Sequence, residues 1–311
     1  MNYPNFFSAK ISNNLFGFKK EFDFLHSLYK KKKLPKVLLF TGSKGLGKST
    51  LINHFLFSIF DEYNYDTKLN ILKNSSSFFT QFKNNSFSNI IYIHGSDFKS
   101  IKIDDIRNLK SEIFKSTILD KERFIIFDDI ELFNTHSLNA LLKIIEEPSK
   151  KNYFFLVNNN SKPLLETIKS RAIEIKLFLN DKKRLQIIDQ LVDLFNIRII
   201  LDPQKTKLSP GNFIKYNYVC DEHNLELTND LMNNLSILLK LYKSEKDTLF
   251  INIAFFIVEY YFKDVRNKNI LNNDRIFEIK KFIFEHLNNF LIYNINQNSL
   301  INAINNKLNN E

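Results

Sequence analysis

Gly42-Ser43-Lys44-Gly45-Leu46-Gly47-Lys48-Ser49 matches the phosphate-loop pattern G-x-x-x-x-G-K-[ST] at every constrained position. The flanks agree with it. Val37-Leu38-Leu39-Phe40 reads as a buried strand entering the loop, and Leu51, Ile52, Phe55, Leu56 and Ile59 follow at helical spacing. Glycines let such a loop curl so that successive N–H groups face phosphate oxygens, and the helix behind adds its dipole. Lys48 is placed to reach the terminal phosphates and the Ser49 hydroxyl to sit on Mg²⁺. Gly42 to Ser49, with Thr50, form the expected cofactor-binding set, and a nucleoside triphosphate with Mg²⁺ is the cofactor they would hold. The alternative is a Gly/Lys/Ser turn that matches by chance, which the strand before and helix after disfavour.

The chain has 311 residues, 44% apolar and 25% charged, enough for two or three globular domains. Asn, Lys, Ile and Phe are heavily used in loops and helices alike, which reads as a compositional bias of the genome. A formal net charge of +10 suits a partner carrying phosphates, although the same bias would enrich lysine everywhere. Cys220 is the single cysteine, so neither an internal disulfide nor a cysteine-rich zinc site can form, which fits a reducing cytoplasm. The N-terminus shows no signal-peptide pattern. The most apolar run, Phe250 to Phe262, contains Asn252 and Glu259 and is too short to span a bilayer.

Phe18, Phe22, Leu25 and Leu28 predict an amphipathic helix before the loop, ending in Lys30 to Lys33 and stopped by Pro35. Residues 61–89 are the least regular and read as a partly mobile insertion. Ile90 to Ile93 predicts a short strand, and the spacing of Ile103, Ile106, Leu109 and Ile113 a helix over 102–117. Arg123-Phe124-Ile125-Ile126-Phe127-Asp128-Asp129 then predicts a buried parallel strand ending in acids, at the edge where open α/β sheets bind ligands. It reads as a Walker B strand with Asp128 as the second metal-binding residue beside Ser49. Asn134 is placed to cap the next helix, whose stripe is Leu138, Leu141, Leu142 and Ile145. Tyr153 to Val157 predicts another strand, ending in Asn158, and Ile173 to Leu177 a last one. Strand–helix alternation over 37–177 indicates a three-layer parallel sheet. Helical spacing then predicts 181–196, and, after a small segment through Ser209-Pro210-Gly211-Asn212-Phe213, helices at about 226–243, 245–264, 273–291 and 297–308, the second capped near Ser244.

Several of these pieces, in order, resemble the delta-prime family of bacterial DNA polymerase III clamp-loader subunits, which are AAA+ relatives. Leu34 to Gly42 resembles the family's approach to its phosphate loop. Leu138-Asn139-Ala140-Leu141-Leu142-Lys143-Ile144-Ile145-Glu146-Glu147-Pro148 resembles its NALLK-x-x-EEP helix, and Leu164-Leu165-x-Thr167-Ile168-x-Ser170-Arg171 its T-I-x-S-R-C segment. Ser209-Pro210-Gly211 is similar to the lid's G-S-P-G, and Tyr293-Asn294-Ile295-Asn296 to an element near the C-terminus. The strong matches cover about 34–172.

The resemblance implies an α/β P-loop AAA+ domain at 1–178, whose nucleotide would be ATP, a small helical lid domain at 179–221 and an all-α oligomerisation (collar) domain at 222–311. It implies a hetero-pentamer with gamma/tau and delta subunits that loads the sliding clamp on primed DNA, within the DNA-directed DNA polymerase III holoenzyme. Arg171 matches the family's arginine finger, supplied in trans to a neighbour's ATP site; the alternative is an arginine in a surface ion pair. Asn158 falls at the sensor-1 position. Asp129 stands where an active ATPase has Glu, one methylene short of reaching an attacking water, so it is expected to be a weak base. Gly211 replaces the lid's sensor-2 arginine. The family's cysteine cluster is missing, so no zinc is expected. These departures predict weak or absent ATPase activity in the isolated chain. The competing reading is a self-sufficient AAA+ ATPase on DNA, such as a gamma/tau-like loader subunit or a branch-migration motor. A P-loop kinase would leave the Asn139–Pro148 helix and Ser170-Arg171 unexplained.

Overall fold

The computed structural model describes residue 4 and residues 7–73, 76–95, 121–227, 230–268 and 270–309. The helix expected over 102–117 lies outside the described residues. By contacts the chain forms two compact units. One runs to Asn196 and adds Leu208–Phe213; the other takes Ile197–Lys207 and everything from Ile214 onward. This division does not fall at the expected boundaries 178/179 and 221/222: the helix after the sheet goes with the sheet.

The first unit is built on five parallel strands, β1 (Val37–Thr41), β4 (Ile90–His94), β5 (Arg123–Asp128), β6 (Asn152–Asn158) and β7 (Ile173–Lys176), in the order β4-β5-β6-β1-β7. Side chains alternate between faces, and both faces are apolar. Leu38, Phe40, Phe124, Ile126, Phe155 and Val157 enter one core layer. Val37, Leu39, Ile125, Phe127, Phe154 and Leu156 enter the other. Helices α1 (Lys19–Lys30) and α2 (Lys48–Phe60) fill the first layer through Phe22, Leu25, Leu51, Phe55 and Leu56. Helix α4 (Thr135–Glu146) covers the second through Leu138, Leu141, Ile144 and Ile145. Asn134 caps α4 as expected, its side chain accepting from Ser137 N at 2.8 Å.

Residues 61–89 are not a loose insertion. They contain an antiparallel pair, β2 (Tyr65–Asp66) with β3 (Ile71–Leu72), and helix α3 (Ser77–Lys83), capped by Ser76 through Phe79 N at 3.0 Å. The phenylalanines that interrupted the pattern are core residues. The Phe57 ring lies 6.2, 5.8 and 5.1 Å from those of Phe78, Phe79 and Phe82. Edge-to-face clusters of this kind bury large areas without showing a helical or strand period. Helix α5 (Asp181–Phe195), capped by Asn180, completes the unit. Buried Arg184 on α5 donates to Leu208 O at 3.2 Å, so the short 208–213 segment is held to the same unit.

Helix α6 (Pro210–Glu222) corrects the reading of Ser209–Phe213 as a small segment: it is the start of a 13-residue helix, with the division between units falling inside it. Pro210 at its first position was the legible signal. Its apolar residues, Phe213, Ile214, Tyr216, Val219 and Cys220, are all buried but do not make one clean stripe.

The second unit is helical. Helices α7 (Leu231–Glu245), α8 (Thr248–Asn267), α9 (Asn273–Tyr293) and α10 (Gln297–Asn309) pack each on the next, and α10 returns to α7. Leu235, Leu238 and Leu239 of α7 and Phe250, Ile253, Ala254 and Ile257 of α8 are all buried, at heptad-like spacing. Asp230, Asp247 and Asn272 are the N-caps. Ser244 is not the cap of α8; it lies in the last turn of α7 and donates to Leu241 O at 2.9 Å, while Asp247 accepts from Leu249 N at 2.7 Å. Among the described residues no helix is long and apolar enough to cross a membrane.

Candidate functional site

The C-terminal strand edge collects the expected residues. Register pairs Thr41 with Asn158 and His94 with Asp128, so β1, β4, β5 and β6 end side by side. The chain leaves β1 into the loop with Gly42 N donating to Asn158 O at 3.2 Å. Gly47 caps α2 at φ +101, a left-handed conformation that glycine adopts freely. A Cβ there would meet no atom of the described residues within 4 Å. The N–H groups of Lys44 to Lys48 have no acceptor among the described residues. Free backbone donors at a helix N-terminus suit an anion such as phosphate.

Lys48 is 3% exposed, and its Nζ donates to Gly42 O at 2.5 Å and Ser43 O at 2.8 Å. Burial pushes its pKa down to about 8, against the raising influence of Asp128, Glu131 and Asp129. A desolvated ammonium held by two neutral carbonyls is short of negative charge, and phosphate oxygens would supply it.

Ser49 Oγ donates to Asp128 Oδ2 at 3.0 Å. Tyr92 OH donates to the same oxygen at 2.7 Å, and His94 Nδ1 stands 4.0 Å from it. Burial first, and then Asp128, hold the Tyr92 phenol well above its ordinary pKa, so it remains a donor. Among the described residues no three His, Cys, Asp or Glu side chains are grouped to hold a metal ion. The adjacent Ser49 hydroxyl and Asp128 carboxylate therefore fit a hard cation that takes most of its oxygens from phosphates and water, as Mg²⁺ does.

Asp129 turns the chain at φ +53. Its Oδ2 lies 3.5 Å from Lys44 Nζ, and its Oδ1 accepts from Asn159 Nδ2. Both carboxylate oxygens thus have cationic or amide partners. Asn158 is 4% exposed, and its Oδ1 accepts from Asn160 N at 2.9 Å. Its place at the end of β6, against the loop's first residue, is the one expected of a sensor, although the oxygen serves the local turn.

Sequence reasoning missed five contributors. Tyr92 orients Asp128. Asn159 holds Asp129 and donates its own N–H to Glu131 Oε1 at 3.0 Å. Ser161 Oγ donates to the same oxygen at 2.8 Å, and Glu131 is 5% exposed. Ser209 Oγ donates to Lys44 O at 2.6 Å. Glu131 carried a signal as an acid inside an apolar turn, and Ser209 lay in the Ser209-Pro210-Gly211 stretch without a role; Tyr92, Asn159 and Ser161 become visible when strands β4, β5 and β6 are laid side by side.

Arg171 follows the short helix Glu166–Lys169. Its Nε and Nη2 reach Glu146 Oε1 at 2.8 and 2.5 Å, and Nη1 donates to Thr167 O at 3.0 Å. Among the described residues Arg171 makes no hydrogen bond or ion pair with Gly42 to Ser49, Asp128 or Asp129. The ion pair that was the alternative reading of Arg171 does exist.

The family model described as "DNA polymerase III, delta subunit" matches residues 18–180, more than half of the chain. The chain belongs to this family. Among curated relatives, a DNA polymerase III subunit delta′ from Buchnera aphidicola subsp. Schizaphis graminum is 28% identical over 209 residues, 61% of this chain and 60% of that one. Another subunit delta′, from Buchnera aphidicola subsp. Acyrthosiphon pisum, is 27% identical over 285 residues, 85% of this chain and 82% of its own length. Among solved structures, a DNA polymerase III gamma subunit-related protein from Thermotoga maritima aligns with 91% of this chain and 96% of its own, at a TM-score of 0.43 and 16% identity. The family match runs from the end of the N-terminal segment through α4, Arg171 and β7, and so contains Gly42 to Ser49, the strand-edge acids and the outlying arginine, while Ser209 lies beyond it.

Proposed function

We propose that this family member is the delta-prime subunit of a DNA polymerase III clamp loader, acting in replication with gamma/tau and delta subunits to place a sliding clamp on primed DNA. Its main chemical contribution is Arg171, supplied to the ATP site of a neighbouring subunit. The observation that carries this is that Arg171 stands at the surface of the sheet unit and, among the described residues, makes no hydrogen bond or ion pair with the phosphate loop or the strand-edge acids. A guanidinium delivered there by a second chain neutralises charge that builds on the transferring phosphoryl group.

The chain's own site fits nucleotide binding. The Lys44 to Lys48 N–H groups and Lys48 would hold the phosphates, and Ser49 with Asp128, braced by Tyr92, would hold Mg²⁺. That pair would thereby bring in positive charge to neutralise the phosphates. Asp129, held between Lys44 and Asn159, is a poor candidate to take a proton from water. Binding with little turnover is the expected behaviour.

The test is Arg171→Ala in a reconstituted loader. Assembly and DNA binding should persist, and turnover at the site it completes should fall on the order of 10³-fold. Unchanged ATPase would remove Arg171 from the mechanism. Robust turnover by the isolated chain that collapses in Asp128→Asn would favour the self-sufficient ATPase.

A further inference from the structure

Helix α4 ends in a local misfit. Its last residue is Glu146 and its C-cap is Glu147, two acids where the helix dipole favours cations. Polar residues placed against a local rule mark positions with another task. The contact at Glu146 identifies one. A single carboxylate oxygen, Oε1, accepts from Nε of Arg171 and forms an ion pair with Nη2 at 2.5 Å, and Thr167 O accepts from Nη1. Ser170 Oγ is 3.4 Å from the same Nη1. The two ends of this contact come from segments 25 residues apart in sequence, joined by β6 and the turn after it.

A guanidinium has five N–H donors in a rigid plane. Glu146 engages the Nε/Nη2 edge and Thr167 O one Nη1 proton. The other edge, between Nη1 and Nη2, keeps an Nη2 proton with no acceptor among the described residues and an Nη1 proton held only by the 3.4 Å contact to Ser170 Oγ, and it is the edge a further anion would meet. Arg171 side-chain exposure is 35% and that of Glu146 is 45%, so the pair is half in water rather than locked in a core. Exposed pairs of this kind add little to stability. What the arrangement does is restrict the rotamers of a long side chain, and an arginine that must meet a phosphoryl group within a fraction of an ångström gains most from that restriction.

We infer that Glu146 is the positioning residue of Arg171: it holds one edge of the guanidinium so that the opposite edge is presented to the phosphate of a neighbouring site. The inference rests on the proposed role of Arg171 in trans. Glu146 touches no nucleotide; it acts through the arginine, and no proton is transferred in the pair.

The experiment uses the reconstituted loader, with ATP as the probe and kcat and KM measured separately. Glu146→Ala should lower kcat by about 10- to 100-fold at the site that Arg171 completes, with KM changed less than about 2-fold, as expected when orientation rather than binding is lost. Glu146→Gln keeps an oxygen acceptor for Nε and should retain most of the rate. The double variant Glu146→Ala/Arg171→Ala should be no slower than Arg171→Ala, because the two act as one unit. An unaffected Glu146→Ala rate beside an impaired Arg171→Ala, or losses that multiply in the double variant, would overturn the inference and leave the role of Arg171 intact. An unaffected Arg171→Ala would remove both. Circular dichroism and assembly of each variant should match the parent, since the pair is half exposed; a Glu146→Ala loss accompanied by failed assembly and not rescued by Glu146→Gln would count against positioning.

Discussion

Lys48 shows how one residue can respond to pH in two opposite senses. In water a lysine holds its proton to about pH 10.4. Inside the fold the same ammonium loses it near pH 8, because burial penalises charge more than Asp128, Glu131 and Asp129 compensate. Between these values the unfolded chain binds more proton than the folded one. The contribution of Lys48 to stability therefore rises with pH across that window, by up to about 3 kcal/mol. Nucleotide binding should run the other way. Phosphates favour the protonated form, so affinity is full below pH 8 and falls as pH rises through it, by up to about tenfold per unit. Titration with a fluorescent ATP analogue from pH 6.5 to 9.5 checks this. A flat profile in the parent, or the same slope in Lys48→Met, would show that the lysine does not meet phosphate.

Helix α6 and the phosphate loop are fitted to one another main chain against main chain. Gly211 N donates to Gly45 O at 2.9 Å, beside the Ser209 to Lys44 bond. Gly45 sits at φ +81, and a Cβ on it would meet Ser209 Oγ at 2.5 Å and Asn212 N at 2.8 Å. A Cβ on Gly211 would meet Gly45 O at 2.9 Å and Gly45 Cα at 3.2 Å. The absence of an arginine at 211 is therefore matched by the packing around it. Restoring the side chain should not restore a working sensor. Gly211→Arg and Gly45→Ala should each cost about 1–3 kcal/mol in urea denaturation, with no gain in ATPase. A Gly211→Arg chain as stable as the parent and newly active would mean that the helix start can move away from the loop.

At the level of the whole chain, the lone thiol offers a probe. Cys220 is fully buried in α6, and burial pushes its pKa up to about 12. Its thiolate is scarce at neutral pH and shielded from reagents. Labelling by a chromogenic disulfide at pH 8 should be at least about 10²-fold slower in the native chain than in 6 M urea, and should track unfolding. Rapid native labelling would mean that α6 opens independently. The chain's larger features were legible before any coordinates. Short continuous apolar runs such as Val37–Phe40 and Phe124–Phe127, closed by a glycine-rich loop and by acids, fit strands covered on both faces, and Gly42–Ser49 carries its geometry in its own backbone requirements. The family was legible too, in Asn139–Pro148 and Thr167–Arg171. Residues 61–89 and α6 were not legible as they are, because their phenylalanines and tyrosines pack on more than one side and leave no single period to read. The site divides in the same way. Local residue chemistry was enough to place Lys48, Ser49 and Asp128, since each follows from its own strand or loop. The roles of Tyr92, Asn159, Ser209 and Glu146 depend on which segments lie side by side. That is settled by long-range packing, which brings together residues whose neighbours in sequence say nothing of each other.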